Sequence, residues 1–247
     1  MTNLVNTIIN GDCLRVLPQL DAGSVDFALT DPPYFVRYRD RAGRTIRNDD
    51  RQSGQVLDAF KDVYRILKTN SLCVSFYGWN RVDAFFTAWK GAGFTPVGHL
   101  VFSKTYASAQ RFLRYAHESA YVLAKGRPEL PADPINDVQP WHYSGNHGHP
   151  TEKSVETLKP IIEAFTKSGD LVLDPFAGSG SSLITAALLQ RRYIGIELEE
   201  KYCVLARRRL AGVERYLAAP RRGPQREQRN VHARQPGRIY AAEGGPR

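Results

Sequence analysis

The stretch Leu171-Val172-Leu173-Asp174-Pro175-Phe176-Ala177-Gly178-Ser179-Gly180 decides the fold of this chain. Three apolar residues closed by an acid read as a short buried strand, and the glycines after it mark a tight turn. Leu183, Ala186, Ala187 and Leu189 then follow with helical spacing. Tyr193-Ile194-Gly195-Ile196-Glu197 is a second strand, and Tyr202, Leu205 and Leu210 a second helix. Strand, helix, strand, helix in that order requires a parallel sheet, because each helix returns the chain to the same edge.

Upstream the same alternation continues. Thr7-Ile8-Ile9 is a strand ending at Asn10-Gly11-Asp12, and Leu14, Val16, Leu17 and Leu20 form a short apolar turn or helix. Val25-Asp26-Phe27-Ala28-Leu29-Thr30 is a buried strand that Pro32 and Pro33 bring to an end. Val56, Phe60, Val63, Tyr64 and Leu67 have helical spacing, Leu72 to Tyr77 is the next strand, and Val82, Phe85, Phe86 and Trp89 lie on a helix ending at Gly91. Val97 to Phe102 and Ala120 to Leu123 are expected to pair as two further strands. Thr151 is expected to open a helix, with Glu152 and Lys153 in its first turn and Val155, Leu158, Ile161, Ile162 and Phe165 on one face. The pattern predicts an α/β domain over residues 1–216, with a mostly parallel, doubly wound sheet. Residues 37–54 lack periodicity and read as a mobile loop, residues 103–148 as an irregular insertion, and residues 217–247 as a disordered basic tail.

The 247 residues suit one large domain, and 42% hydrophobic residues suffice for its core. The chain has no apolar run of the roughly 18–20 residues that a membrane span needs, and its first residues do not read as a secretory signal. Cys13, Cys73 and Cys203 lack metal-ligand spacing and read as buried thiols of a cytoplasmic protein. The net charge of +9 fits a polyanionic partner. Much of it is concentrated in Arg37, Arg39, Arg41, Arg44, Arg47 and Arg51, and in the arginines of the tail.

Two constellations carry chemistry. The glycine turn lets backbone approach a ligand at a helix N-terminus, and Glu197, at the end of the next strand, can accept hydrogen bonds from both hydroxyls of a ribose. A third glycine for a pyrophosphate is missing, and the Asp174 anion would repel one. That anion suits the ammonium of a methionine moiety, so S-adenosylmethionine fits better than NAD. The second constellation is Thr30-Asp31-Pro32-Pro33-Tyr34-Phe35, at the C-terminal end of a strand. An exocyclic base amine is a poor nucleophile because its lone pair is delocalised into the ring. Asp31 and the Pro32 carbonyl can accept its two N–H groups and free that lone pair. Pro32-Pro33 holds the carbonyl in place, and Tyr34 can stack on a base turned out of a duplex. No metal is needed, and the spacing of His142, His147 and His149 includes no acid or cysteine for zinc.

Asp31-Pro32-Pro33-Tyr34 and the Asp174–Gly180 turn resemble the catalytic and cofactor motifs of amino-group DNA methyltransferases. With the catalytic motif first, the order resembles that of the β-type, circularly permuted group, whose members methylate N6 of adenine or N4 of cytosine. Asn10-Gly11-Asp12-Cys13 and His149-Pro150-Thr151-Glu152-Lys153 resemble two further motifs of the group. The resemblance implies a Rossmann-like class I methyltransferase fold. It also implies roles: Asp12 and Cys13 at the cofactor adenine, Glu197 at the ribose, and Asp174, Phe176, Gly178 and Gly180 at the methionine end. Thr151 and Lys153 are given its carboxylate, which their charge and place at a helix N-terminus also support. The one departure is Ser154, where the family has a second proline, and it is expected to change only the helix start.

In the family it resembles, a leading Asp in this motif accompanies N6-adenine transfer and a leading Ser N4-cytosine transfer, so the resemblance at Asp31 implies adenine over cytosine. Carbon-5 methylation needs a cysteine nucleophile, and none lies near Asp31 in the sequence. Double-stranded DNA is the expected partner, contacted by Arg37, Arg39, Arg44 and Arg47 in the loop and by Lys104, Arg111, Arg114, His142 and Asn146 in the insertion. Dimerisation is expected from the resemblance alone, and a cognate restriction enzyme is not inferable. Two rival readings are a DNA-binding protein of this fold that no longer turns over, and transfer to a protein glutamine or to RNA.

Overall fold

The structure is a computed structural model that describes residues 4–36, 43, 45, 49, 53–145 and 152–219. Its elements are β1 (Thr7–Asn10), α1 (Cys13–Val16), β2 (Val25–Thr30), α2 (Ala59–Ile66), β3 (Leu67–Phe76), α3 (Val82–Ala92), β4 (Thr95–Ser103), β5 (Ala109–Gln110), β6 (Arg114–Tyr115), β7 (His117–Lys125), β8 (Val138–Pro140), α4 (Val155–Phe165), β9 (Leu171–Asp174), α5 (Ser181–Leu188), β10 (Arg192–Glu197) and α6 (Glu200–Ala218). Eight strands form one sheet in the order β1-β10-β9-β2-β3-β7-β4-β8. The first five are mutually parallel. β7 runs antiparallel between β3 and β4, and β8 joins the far edge parallel to β4.

Alternate residues of the central strands face opposite sides. Ala28 and Leu173 pack with Phe60, Ile66, Phe85 and Trp89 of α2 and α3. Phe27, Leu29 and Val172 pack with Ile161, Leu183 and Leu210 of α4, α5 and α6. Burial on both faces explains why these strands read as unbroken apolar runs.

β9 leads through α5 to β10 on one side of the sheet, whereas β2 leads through α2 to β3 on the other, and β2 and β9 are neighbours. The chain direction therefore switches between them, and the crevice beyond their C-terminal ends is the ligand-binding place of such a sheet. Asp31 follows β2 and Asp174 ends β9, so the fold brings the two constellations to this crevice.

Four expectations about local structure change. The helix expected from Thr151 begins at Val155, because the Ser154 hydroxyl accepts the Thr157 N–H at 3.1 Å and caps it. Lys153 lies before that cap and bridges Tyr143 in extended backbone. Leu67 opens β3 rather than closing the preceding helix. Residues 103–148 are more regular than expected, holding the β5–β6 hairpin, the start of β7, and β8. α6 continues to Ala218, past the boundary expected at residue 216. Arg37, Arg39, Arg44, Arg47, Asn146, Thr151 and the tail from residue 220 lie outside the described residues.

Candidate active site

The catalytic motif leaves β2 and turns at once. The Tyr34 hydroxyl donates to Asp31 Oδ1 at 2.7 Å, which fixes ring and carboxylate together. Burial, with the Asp31 charge second, pushes the Tyr34 phenol well above its ordinary value, so it stays a donor at neutral pH. Phe35 follows at φ 61°, an uncommon conformation for a side-chain-bearing residue, and buries its ring against Phe85 at 6.0 Å. Gly78, just beyond β3, supports Tyr34 from behind. A Cβ there would lie 2.8 Å from Tyr34 Cβ, so the close approach depends on glycine. Thr30 donates to Ser75 at 3.0 Å and ties the ends of β2 and β3 together beneath the motif.

Lys153 meets this centre from the other side. Its side chain is only 7% exposed, and its ammonium is ion-paired with Asp31 Oδ2. The same nitrogen lies 4.3 Å from the Phe76 ring centroid, 5.8 Å from that of Tyr34 and 6.0 Å from that of Trp141. A carboxylate and three aromatic faces thus enclose one cation.

The cofactor residues assemble around the turn after β9. Asp174 is buried; its Oδ1 accepts the Phe176 N–H at 3.0 Å and its Oδ2 accepts the Ser182 hydroxyl. Burial raises its pKa to about 7 against those hydrogen bonds, and the charges of Asp31 and Glu197 add to the rise. Glu197 Oε2 accepts the Gly178 N–H at 2.9 Å and Oε1 accepts the Glu199 N–H at 2.7 Å, and burial pushes its carboxyl up as well. Gly178 and Gly180 have φ of 51° and 84°. At Gly180 a Cβ would also come within 2.9 Å of Ala206 Cβ on α6. Asp12 caps α1 through the Leu14 N–H at 3.0 Å, while Gly11 donates to the Glu197 carbonyl at 2.9 Å, so Asp12 and Cys13 stand beside Glu197. Burial raises the Cys13 thiol to about 12, which makes it a neutral wall group and no nucleophile at neutral pH.

This crevice gathers Asp31, Asp174 and Glu197, with the charges of the first and last raising the pKa of Asp174, and meets them with the buried Lys153. Such a donor set fits a ligand with a sulfonium, an ammonium, two ribose hydroxyls and one carboxylate, as S-adenosylmethionine has. Comparison with known proteins agrees. The family model described as DNA methylase, of the N6/N4 methyltransferase group, matches residues 25–208. The chain belongs to this DNA methylase family. The Escherichia coli (strain K12) protein named "Putative methylase YubD" is 55% identical over 213 residues, which cover 86% of this chain and 93% of that one. The structure of the M1.HpyAVI–SAM complex superposes with a TM-score of 0.65 at 22% identity, covering 83% of this chain and 98% of the other. PvuII DNA methyltransferase, described as cytosine-N4-specific, superposes at 0.66 with 15% identity, over 84% and 89% of the two chains. The fold is that of class I methyltransferases, and the family's methyl donor is S-adenosylmethionine.

As a DNA methylase, the chain presents its duplex-facing candidates around the same edge of the sheet. Arg111 and Arg114 are exposed on the β5–β6 hairpin, whose tip carries Phe112 at 100% and Leu113 at 70% exposure. Tyr115, at the base of that hairpin, stacks on Trp79, which follows β3, at 5.7 Å and 18°. His142 is exposed too, and its backbone N–H donates to Thr157 at 3.0 Å. Lys104 is placed differently from these: its side chain is 5% exposed and pairs with Glu118 at 2.5 Å, its ammonium 5.0 Å from the Trp141 ring.

Sequence reasoning missed Arg209. From α6 it donates to both the carbonyl and the hydroxyl of Ser179, each at 2.9 Å, and pairs with Glu152 at 2.7 Å. It thus fastens the cofactor turn to the segment that carries Lys153. One arginine among many on a basic helix gives no local sign of this. Gly78 was equally invisible as part of the site, and Trp141, legible only as an aromatic of the 103–148 stretch, gave no sign of its place beside Lys153, since each acts through a partner distant in sequence.

Proposed function

We propose that this DNA methyltransferase transfers the methyl group of S-adenosylmethionine to the exocyclic N6 of adenine in a short duplex target. The observation that carries the reading is the Asp31 carboxylate, held by Tyr34 at the C-terminal end of β2, beside the carboxylate-lined turn after β9. The bound cofactor supplies a methyl group already activated by its sulfonium. Asp31 and the Pro32 carbonyl accept the two N–H groups of the target amine and localise its lone pair. Tyr34 offers a ring face to the extruded base, and its hydroxyl keeps the carboxylate in line. Glu197 receives the ribose, Asp12 and Cys13 border the adenine, and Asp174, Phe176, Gly178 and Gly180 border the methionine end. Arg111, Arg114 and His142 face the duplex, where phosphate contacts set register.

Transfer to cytosine N4 would use the same acceptors, and the leading Asp of the motif favours adenine. Incubation with labelled S-adenosylmethionine and DNA from a methylation-deficient host, followed by nucleoside analysis, separates the two. Label in N6-methyladenine is expected. Label in N4-methylcytosine would change the base, and no label in DNA would overturn the reading. Methylation-aware sequencing of DNA from a host expressing the chain reports the target site.

A further inference from the structure

Both oxygens of the catalytic carboxylate are already engaged in the free protein. Oδ1 takes the Tyr34 hydroxyl and Oδ2 takes the Lys153 ammonium. That ammonium lies among Tyr34, Phe76 and Trp141. A base stacked on Tyr34 with its amine on Asp31 needs this same space. An ammonium and an exocyclic amine are alike here, since both offer N–H donors to Asp31. We propose that Lys153 holds the seat of the target amine in the free protein and leaves Asp31 before the base is engaged. The proposal rests on the DNA methyltransferase reading above and adds an order of events to it.

The backbone beneath Lys153 is pinned. It bridges Tyr143, Ser154 behind it caps α4, and Glu152 before it is bound by Arg209. Any exchange is therefore a rotation of the flexible four-carbon side chain. Its charge needs an anion wherever it goes. The crevice is lined by carboxylates that already accept hydrogen bonds, and the anion a cofactor brings is its own carboxylate. When that group is bound, Lys153 has a second partner and Oδ2 is released. Cofactor binding thus precedes base engagement, and an empty enzyme does not hold an extruded base.

The test uses a duplex that keeps the mapped target adenine and carries 2-aminopurine beside it, whose fluorescence rises when that adenine leaves the stack, and it requires no turnover. Without cofactor the wild type gives little rise, whereas S-adenosylhomocysteine increases it. Decarboxylated S-adenosylhomocysteine, at saturation, leaves the wild type near its cofactor-free level. Lys153→Met, free of cofactor, exceeds the cofactor-free wild type by about fivefold or more, the range of ordinary coupling between sites. Lys153→Arg, which keeps a cation on Asp31, does not. Equal signals from the two homocysteine compounds on the wild type would overturn the proposal even if Lys153→Met failed to fold. So would a folded Lys153→Met with no gain. Failure of the wild type to methylate any DNA would instead remove the reading beneath it.

Discussion

Replacing Asp31 by asparagine isolates the Asp31–Lys153 pair, because the amide keeps an acceptor for Tyr34 and removes only the charge. Lys153 is then a cation, 7% exposed, without its counterion. Breaking a fully buried pair from one side costs about 3–5 kcal/mol. Asp31 is 26% exposed, so water screens part of the attraction, and we expect about 2–3 kcal/mol. For a domain of this size that is roughly 5–10 °C in Tm. Lys153→Met alone costs less, about 1 kcal/mol, because Asp31 keeps Tyr34 and some water while methionine fills the aromatic cage. The double variant has no charge left to strand and should lie within about 1 kcal/mol of wild type. The coupling is then about 2–4 kcal/mol, read from urea or thermal unfolding of the four proteins without cofactor. Additive single effects, or an Asp31→Asn protein that melts with the wild type, would refute the claim that these charges depend on each other.

Four further outcomes follow from the geometry. Glu197→Gln weakens charge-assisted hydrogen bonds to a ribose and should raise the Kd for S-adenosylmethionine about 10–100-fold by calorimetry, with an unchanged far-ultraviolet spectrum. Arg209→Met frees the Ser179 turn from Glu152 and should raise the same Kd about tenfold, with Arg209→Lys intermediate because one ammonium cannot reproduce the fork. Asp174 has a folded pKa raised from 3.8 to about 7, so the folded chain holds this proton over a range where the unfolded chain has lost it. Its contribution to stability therefore falls as pH rises from about 4 to 7, and Asp174→Asn should gain relative to wild type across that window in cofactor-free melts. Arg111→Ala and Arg114→Ala, if each removes one phosphate contact, should each reduce the slope of log K against log salt by about 1 in DNA-binding titrations.

Sequence alone determined the strands that build the crevice. Val25–Thr30 and Leu171–Asp174 are short, mostly apolar runs closed by polar or charged residues and followed by proline or glycine turns, and their short length and those turn residues favour buried strands over helices. Their order, with Asp31-Pro32-Pro33-Tyr34 ahead of the glycine turn, also settled the family and the methyl donor, because each motif is contiguous and its chemistry needs those residue types together. Tertiary structure decided the rest. The β5–β6 hairpin has two-residue strands, too short for periodicity to register, and β8 has three. The helix after residue 150 began later than its apolar face implied, since a capping hydroxyl and not a periodicity sets a helix start. Lys153 reaches Asp31 from 122 positions away, and Arg209 reaches Ser179 from 30. Those meetings depend on which strands are neighbours and where their ends lie, and a periodicity of two or of 3.6 residues carries no information on either. The titration of Asp174 belongs to the same class: the sequence supplies a carboxyl group, and burial beside two other carboxylates makes it a group that gains and loses its proton near neutral pH.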